Sequence, residues 1–387
     1  MHAAYRQRPI HSVNVMTSFP ASTDLPLRVA VVGTGGISQE HLAFLSGGTG
    51  IGSVADRARL VAVCDLSAAA ASYAARTFGA DDSYTDLAEL LERVKPDVVH
   101  VLTPPASHVP LTKMCLEAGA HVLCEKPIAA SRAQLEAIID VAHANGRRVM
   151  ESHNYRFNSS IQAISDALAR GELGLVREVE VRIALPVTDP AGRFGDPNLP
   201  SPIHLMPAGV IHDFTTHFAS LLGGFAPGVT YHRVAAAWSR HGDNELFRFD
   251  DLDALMIGDG PDGAVHARLR FDSRTFPDVF TVIVRGSQGT AETDLFQPYL
   301  RVVRPRPGGS KLSPIVNHMV NGLAMARSGV RNLGQRLVQQ GQYEGLHRML
   351  DLAYTALATG SELPVSEADM LAASALVDQL LSERAAL

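Results

Sequence analysis

The sequence predicts an α/β protein with an N-terminal doubly wound parallel sheet and a C-terminal α/β unit built on a large, mostly antiparallel open sheet. Three observations carry this. From Leu27 onward, short β-branched runs alternate with helical patterns, the rhythm of a parallel sheet with crossover helices. The first run ends in a glycine-rich turn, Gly33-Thr34-Gly35-Gly36. From Val229, strand-like runs crowd together without helices between them, as antiparallel pairing permits.

Six strand candidates order the first unit: Arg28–Gly33, Leu60–Asp65, a short Ser83–Tyr84, Asp97–Leu102, His121–Glu125 and Arg147–Glu151. Helical stretches with stop signals lie between them: Ser67–Phe78 before Gly79, Ala106–Ala118 before Gly119, and Ser131–Ala144 before Asn145-Gly146. After about residue 155 the rhythm changes. A helix at Ser159–Arg170, closed by Gly171, leads into Val176–Leu185, where Val176, Val179, Val181 and Ile183 alternate with charged residues as in a half-buried strand. Pro186–Pro207 holds six prolines, too broken for a regular element and long enough for a functional loop over a site. A helix at Val210–Leu222 precedes strands at Val229–Trp238, Ala254–Ile257, Val265–Phe271, Val279–Arg285 and Gly289–Thr293. Terminal helices are expected from Ile315, Val330 and Ser366. The chain thus divides into a flexible extension over residues 1–26, a nucleotide-binding unit over 27–153 and a second unit over 154–387.

Composition narrows the class. A length of 387 residues suits two domains, and 46% hydrophobic against 19% charged residues supports a large core. The net charge of −6 argues against a broad grip on nucleic acid or anionic membrane, so small molecules or other subunits are the expected partners. Cys64, Cys115 and Cys124 form no CxxC pair, which supports neither a disulfide framework nor a cysteine zinc site and suits a reducing cytoplasm. Residues 1–26 lack the apolar core of a signal peptide, and no apolar run approaches the ~18 residues of a membrane span. Only Lys95, Lys113, Lys126 and Lys311 among the 34 basic residues are lysines. Where arginine performs nearly every structural role of a cation, a retained lysine is a candidate for chemistry that needs a compact ammonium.

The turn after the first strand matches G-x-G-x-x-G/A with Gly33, Gly35, Gly36 and Ile37, except that Ser38 stands third. Glycine is needed there for a tight turn and for close approach of backbone to a pyrophosphate on the following helix N-terminus. This is the Rossmann dinucleotide pattern. Asp65 ends the second strand, where a carboxylate accepts from ribose hydroxyls and repels a 2′-phosphate, favouring NAD over NADP. Gly33 and Asp65 are 32 positions apart rather than about 20, and the insert Gly47-Gly48-Thr49-Gly50-Ile51-Gly52 accounts for the excess. Residue 66 is leucine, leaving Arg57 and Arg59 as the cations that could fold back toward a 2′-phosphate.

Three further motifs follow in order: Thr103-Pro104-Pro105-Ala106-Ser107-His108 after the fourth strand, Cys124-Glu125-Lys126-Pro127 after the fifth, and Asp213-Phe214-Thr215-Thr216-His217 in the second unit. With these the chain resembles the Gfo/Idh/MocA oxidoreductases, matching their TPxxxH segment, their EKP signature and the D-x-x-x-H pair of the inositol dehydrogenase branch. Order and spacing agree over roughly residues 27–225. The resemblance implies NAD as cofactor, with Thr103, Pro104, His108, Glu125 and Lys126 beside it. It implies a substrate pocket lined by Lys126, Asn154, Tyr155, Asp213 and His217, a sugar or cyclitol substrate, and a homodimer or homotetramer formed through the open face of the second sheet.

The residues make chemical sense on their own terms. A lysine at the carboxyl end of a parallel strand sits at the ligand crevice of an open α/β sheet and can polarise a substrate oxygen. Asp213 and His217 are four apart, hence on one helix face, and a histidine there is a natural acceptor for a hydroxyl proton, with Asp213 orienting the imidazole or bonding the substrate. His108 reads as a hydrogen-bonding residue at a helix start, and Arg156 as structural. His212 replaces the hydrophobic residue usual beside the aspartate. His212, Asp213 and His217 lack the i,i+4 histidine pair of a zincin helix, so no metal is expected. Alternatives are an enzyme that keeps NAD bound for transient redox in epimerisation or glycoside cleavage, and a non-catalytic dinucleotide-sensing regulator. An intact Lys126, Asp213 and His217 speak against the regulator.

Overall fold

In the computed structural model, residues 25–47, 54–306, 309–337 and 343–386 are described. The extension expected over 1–26, apart from Leu25 and Pro26, and most of the glycine insert lie outside the described residues.

The first unit runs β1 (Leu27–Val32), α1 (Ser38–Leu45), β2 (Ala58–Cys64), α2 (Ala68–Phe78), β3 (Asp82–Tyr84), α3 (Leu87–Val94), β4 (Val98–Val101), α4 (His108–Glu117), β5 (His121–Cys124), α5 (Arg132–Ala144) and β6 (Val149–Glu151). All six strands are parallel, in the order β3-β2-β1-β4-β5-β6. Order reverses at β1, and the crevice at such a switch point is where doubly wound sheets bind ligands. Local signals set the boundaries: Ser67, Asp86 and Ser131 cap α2, α3 and α5 with side-chain acceptors, and Gly79 closes α2 in the left-handed conformation. β1 and β4 are buried on both faces, as the apolar runs predict.

The second unit continues with α6 (Ser159–Ala169), β7 (Val176–Ala184), α7 (Gly209–Phe225), β8 (Thr230–Ser239), β9 (Asp251–Gly260), β10 (Gly263–Asp272), β11 (Val279–Gly286), β12 (Thr290–Asp294), β13 (Arg301–Val303), α8 (Gly309–Leu337), α9 (Glu344–Thr359) and α10 (Glu367–Ser382). Seven strands form a sheet in the order β13-β12-β11-β7-β10-β9-β8. Every pairing is antiparallel except β7 with β10. Along β7, Val179, Val181 and Ile183 turn inward against α7, while Glu178, Glu180 and Arg182 face outward. The outward face carries cross-strand ion pairs, such as Arg285 with Glu178 and Glu180. Its sheet is the larger, mostly antiparallel one that the helix-free spacing implies.

Most element ends fall within about three residues of expectation, and two features differ more. Helices expected from Ile315 and Val330 are one continuous α8, because Gly329 faces open space and nothing there forces a break; the next helix begins at Glu344. β13 was not anticipated from its three residues. α9 also packs away from its neighbours in sequence: Leu346, Met349, Leu350, Ala353, Tyr354 and Leu357 join the core of the first sheet. Among the described residues no helix is long and apolar enough to cross a membrane.

Candidate active site

The glycine turn is built from two kinds of glycine. Gly33 has φ +90°, and a Cβ there would stand 2.9 Å from the backbone of Leu102 and Thr103, so the ends of β1 and β4 approach only over a glycine. At Gly35 and Gly36 a Cβ would meet nothing within 4 Å, leaving clear space above the entry to α1. Ser38, in the third motif position, donates from Oγ to the Gly35 carbonyl at 2.5 Å and closes the turn in place of a glycine. Ile37 caps α1.

Asp65 faces the same turn. Thr34 donates to its Oδ2 from N at 2.8 Å and from Oγ1 at 2.7 Å, and Ser67 N donates to Oδ1 at 2.9 Å. Burial works to raise this carboxyl, but the hydrogen bonds from Ser67 and Thr34 outweigh it and hold the group below the usual carboxylate range. Neither nearby cation is aimed at Asp65: Arg57 is held by Asp351 at 2.8 Å and Arg59 by Asp81 at 2.6 Å. Leu66 is 95% exposed. An ionised acid beside a clear glycine turn fits a dinucleotide with free ribose hydroxyls.

The turns after β4 and β5 are tied together by His108, the first residue of α4. Its ring nitrogens lie 2.6 Å from the Thr103 carbonyl oxygen and 2.8 Å from that of Pro127. Pro104 opens the first turn and accepts from Ser107 N at 3.0 Å. In the second, the Lys126–Pro127 bond is cis, and Ile128 N donates to the buried Glu151 at 3.1 Å. Burial acts to raise the Glu125 carboxyl, yet His41, Ser152 and Lys126 together hold it low.

From the other side comes α7, buried along almost its whole length. Lys126 Nζ donates to Asp213 Oδ1, joining the two units through an ion pair whose side chains are each 13% exposed. Asp213 and His217 share a helix face as their spacing predicts, but the carboxylate turns to Lys126, a full cation, rather than to the imidazole. His217 is positioned instead by Tyr155, whose ring lies 4.2 Å away, with Phe280 packed edge-on against Tyr155 at 5.1 Å. His217 Nδ1 is buried without a hydrogen-bond partner among the described residues, as is Asn154 Oδ1. Burial, then Lys126 and His153, press the His217 imidazole well below its usual value, so it is neutral at pH 7. Burial, followed by Asp213 and Tyr343, pushes the Tyr155 phenol up to about 12. A cation, a carboxylate and a neutral imidazole whose Nδ1 is unpartnered therefore lie together, an arrangement that can bind a hydroxyl, polarise its oxygen and accept its proton.

The loop over 186–207 crosses this region without regular strand and touches the Pro105–Ser107 turn of the first unit. Asn244 Nδ2 donates to Thr188 O at 3.1 Å and Gly195 O at 2.8 Å, pinning the loop to the second unit. His212 lines a small pocket with Pro127, Glu151 and Thr216. Reading in sequence order missed His153, which contacts Glu151 at 3.2 Å and adds its field to His217; only its place just after β6 could have flagged it.

Comparison with known proteins gives the family and the fold. A family model described as "Oxidoreductase family, NAD-binding Rossmann fold" matches residues 27–153. D-glucoside 3-dehydrogenase of Escherichia coli K12 is 34% identical over 155 residues, 40% of this chain and 42% of that protein, so the match spans less than half the relative's length. A dTDP-3,4-didehydro-2,6-dideoxy-alpha-D-glucose 3-reductase of Streptomyces violaceoruber is 30% identical over 285 residues, 71% of this chain and 78% of that protein. The solved structure of an NAD binding oxidoreductase from Klebsiella pneumoniae shares the fold, with a TM-score of 0.74 at 18% identity over 93% of this chain and 97% of that one. By a relative aligned over both units and a family match on the first, this chain belongs to the Gfo/Idh/MocA oxidoreductase family, with its NAD-binding Rossmann fold.

Proposed function

We propose that this protein transfers a hydride between a nicotinamide cofactor, NAD in preference to NADP, and a secondary hydroxyl or keto carbon of a sugar, cyclitol or sugar derivative. The single observation that carries the reading is the convergence of Lys126, Asp213 and the neutral His217 at the mouth of the first sheet. Gly33, Gly35, Gly36, Ile37 and Asp65 would hold the dinucleotide, with Thr103, Pro104, His108, Glu125 and Lys126 along its nicotinamide end. When bound, the nicotinamide supplies or accepts the hydride.

The chain's own residues handle the oxygen and the proton. Lys126 donates a hydrogen bond to the substrate oxygen, an interaction that strengthens as carbonyl or alkoxide character develops. Asp213 keeps the ammonium in place and, where substrate displaces part of that pairing, accepts from a neighbouring hydroxyl. His217 takes the hydroxyl proton in oxidation and returns it in reduction. Asn154 and Tyr155 supply an acceptor and a donor for further hydroxyls, and the 186–207 loop excludes water over the pocket.

Substrate class is supported by the two relatives, both named for action at position 3 of a hexose-derived sugar, one as dehydrogenase and one as reductase. The test is spectrophotometric: nicotinamide reduction with a panel of polyols, cyclitols and glycosides, and nicotinamide oxidation with keto-sugars. Turnover in either direction supports the reading, and tight NAD binding with no net turnover on any of them would move it to a transient redox cycle.

A further inference from the structure

Behind Glu125 a file of buried polar side chains runs away from the site, and nothing in the reaction above uses it. Tyr354 Oη on α9 lies 2.7 Å from His100 Nε2 on β4, and His100 Nδ1 lies 2.9 Å from His41 Nδ1 on α1. His41 Nε2, in turn, lies 3.5 Å from Glu125 Oε1, an ion-pair approach longer than the other links, and makes no hydrogen bond among the described residues. Tyr354 and His100 are 0% exposed and His41 1%, so each group depends on the others for its hydrogen bonds.

The two ends fix the direction of every proton between them. A neutral imidazole has one N–H and one lone pair. Among the described residues, the Tyr354 hydroxyl has no acceptor other than His100, so the phenol donates to Nε2. The His100 proton is then on Nδ1 and is donated to His41 Nδ1. That leaves the His41 proton on Nε2, aimed at the Glu125 carboxylate. Reversing the chain would strand a buried phenol proton without an acceptor, which is unfavourable. Desolvation pushes the His100 imidazole far down, with His41 adding to it, which agrees with a neutral ring.

We infer that His41, His100 and Tyr354 are positioning residues that hold the Glu125 carboxylate beside Lys126 through a one-directional chain of donors, anchored in α9. The inference rests on the reading of Glu125-Lys126-Pro127 as the turn that meets the cofactor. The chain positions and does not conduct, since its far end at Tyr354 is sealed from solvent. It also accounts for α9 joining the first sheet although more than 250 residues separate His100 from Tyr354 (254 positions).

The test uses full-length protein with 15N-labelled histidine. At pH 7 the imidazole spectra should place His41 in the Nε2–H form and His100 in the Nδ1–H form. Tyr354→Phe removes one oxygen and keeps the ring; it should release His100 into mixed tautomers and shift the His41 signals, while NADH affinity measured by calorimetry falls about three- to tenfold. His41→Phe should weaken NADH at least as much, and His41→Gln, whose amide can still donate to Glu125, should recover most of the loss. Doubly protonated His41, the opposite tautomers, or imidazole signals untouched by Tyr354→Phe would overturn the chain, as would wild-type NADH affinity in a folded His41→Phe. Because tautomers need no turnover, the two claims separate. The expected tautomers in a protein that turns over no sugar keep the chain and overturn only the reaction, whereas normal turnover with the wrong tautomers overturns the chain alone.

Discussion

Lys126 and Asp213, 87 positions apart in sequence, are paired across the gap between the first sheet and α7. In the reaction proposed above, a substrate oxygen entering between them would meet both a donor and an acceptor. The ion pair also explains why His217 is left with Tyr155 as its neighbour.

Replacing Lys126 by Met should remove the polarising ammonium and lower kcat by about 10²–10³-fold. It also leaves Asp213 buried without its cation, which should cost about 2 kcal/mol in stability. Adding Asp213→Asn should restore much of the melting temperature without restoring turnover. If the double variant stays as unstable as the single, the pair is not what Asp213 needs.

His217→Asn should lower kcat by about 10²–10⁴-fold with little change in NADH affinity. Because the buried imidazole is already neutral well below its usual value, kcat/KM for oxidation should not fall on the acid side between pH 8 and about 6.5. An acid limb in that range that disappears in His217→Asn would contradict the assignment.

The two glycine environments predict different failures. Gly33→Ala meets backbone at 2.9 Å in a left-handed conformation, so the protein itself should be destabilised, by about 2 kcal/mol or more. Gly35→Ala meets nothing within 4 Å. It should melt like the wild type and lose NADH affinity, because the added methyl occupies the space above the turn. Equal melting temperatures for both variants would refute the contrast.

Asp65→Ser removes an ionised acceptor and should raise NADPH use relative to NADH by tenfold or more. An unchanged ratio in kcat/KM would show that the ribose is read elsewhere.

Stability should fall as the solution is acidified below about pH 6.5. Burial is the main influence that presses His100, His121, His212, His217 and His347 below their usual value. These groups bind protons in the unfolded chain before they do in the folded one. Their contribution is therefore complete above the unfolded value and is lost as the pH drops from there. For His212, held at about 4, the loss by pH 4 is about 3 kcal/mol. His212→Gln should flatten the dependence of melting temperature on pH between 6.5 and 4.5; parallel curves for the two proteins would show that His212 is not desolvated in solution.

Much of this was legible in the sequence because the signals are local. Five of the six strands of the first sheet announce themselves by apolar runs between helical patterns, and Asp213 and His217 fall on one face of α7 by periodicity alone. What was not legible depends on contacts between distant segments. His41 and His100 look uninformative along the chain, and acquire meaning only when α1, β4 and α9 converge. Asp213 was expected either to orient the histidine on its own helix or to bond the substrate; the cation it pairs with comes from the other unit, and spacing carries no trace of that contact. α8 runs through Val330 because an exposed glycine tolerates a helix even where it does not favour one.

The central claim is that Lys126 and His217 act together on a sugar oxygen beside a bound nicotinamide. The most direct measurement is the rate of NADH formation from NAD, or of its consumption, across the carbohydrate panel by wild type, Lys126→Met and His217→Asn, with NADH affinity measured on the same preparations. Turnover by the wild type that both variants lose while still binding NADH is the predicted result. Turnover that survives both substitutions would contradict the account.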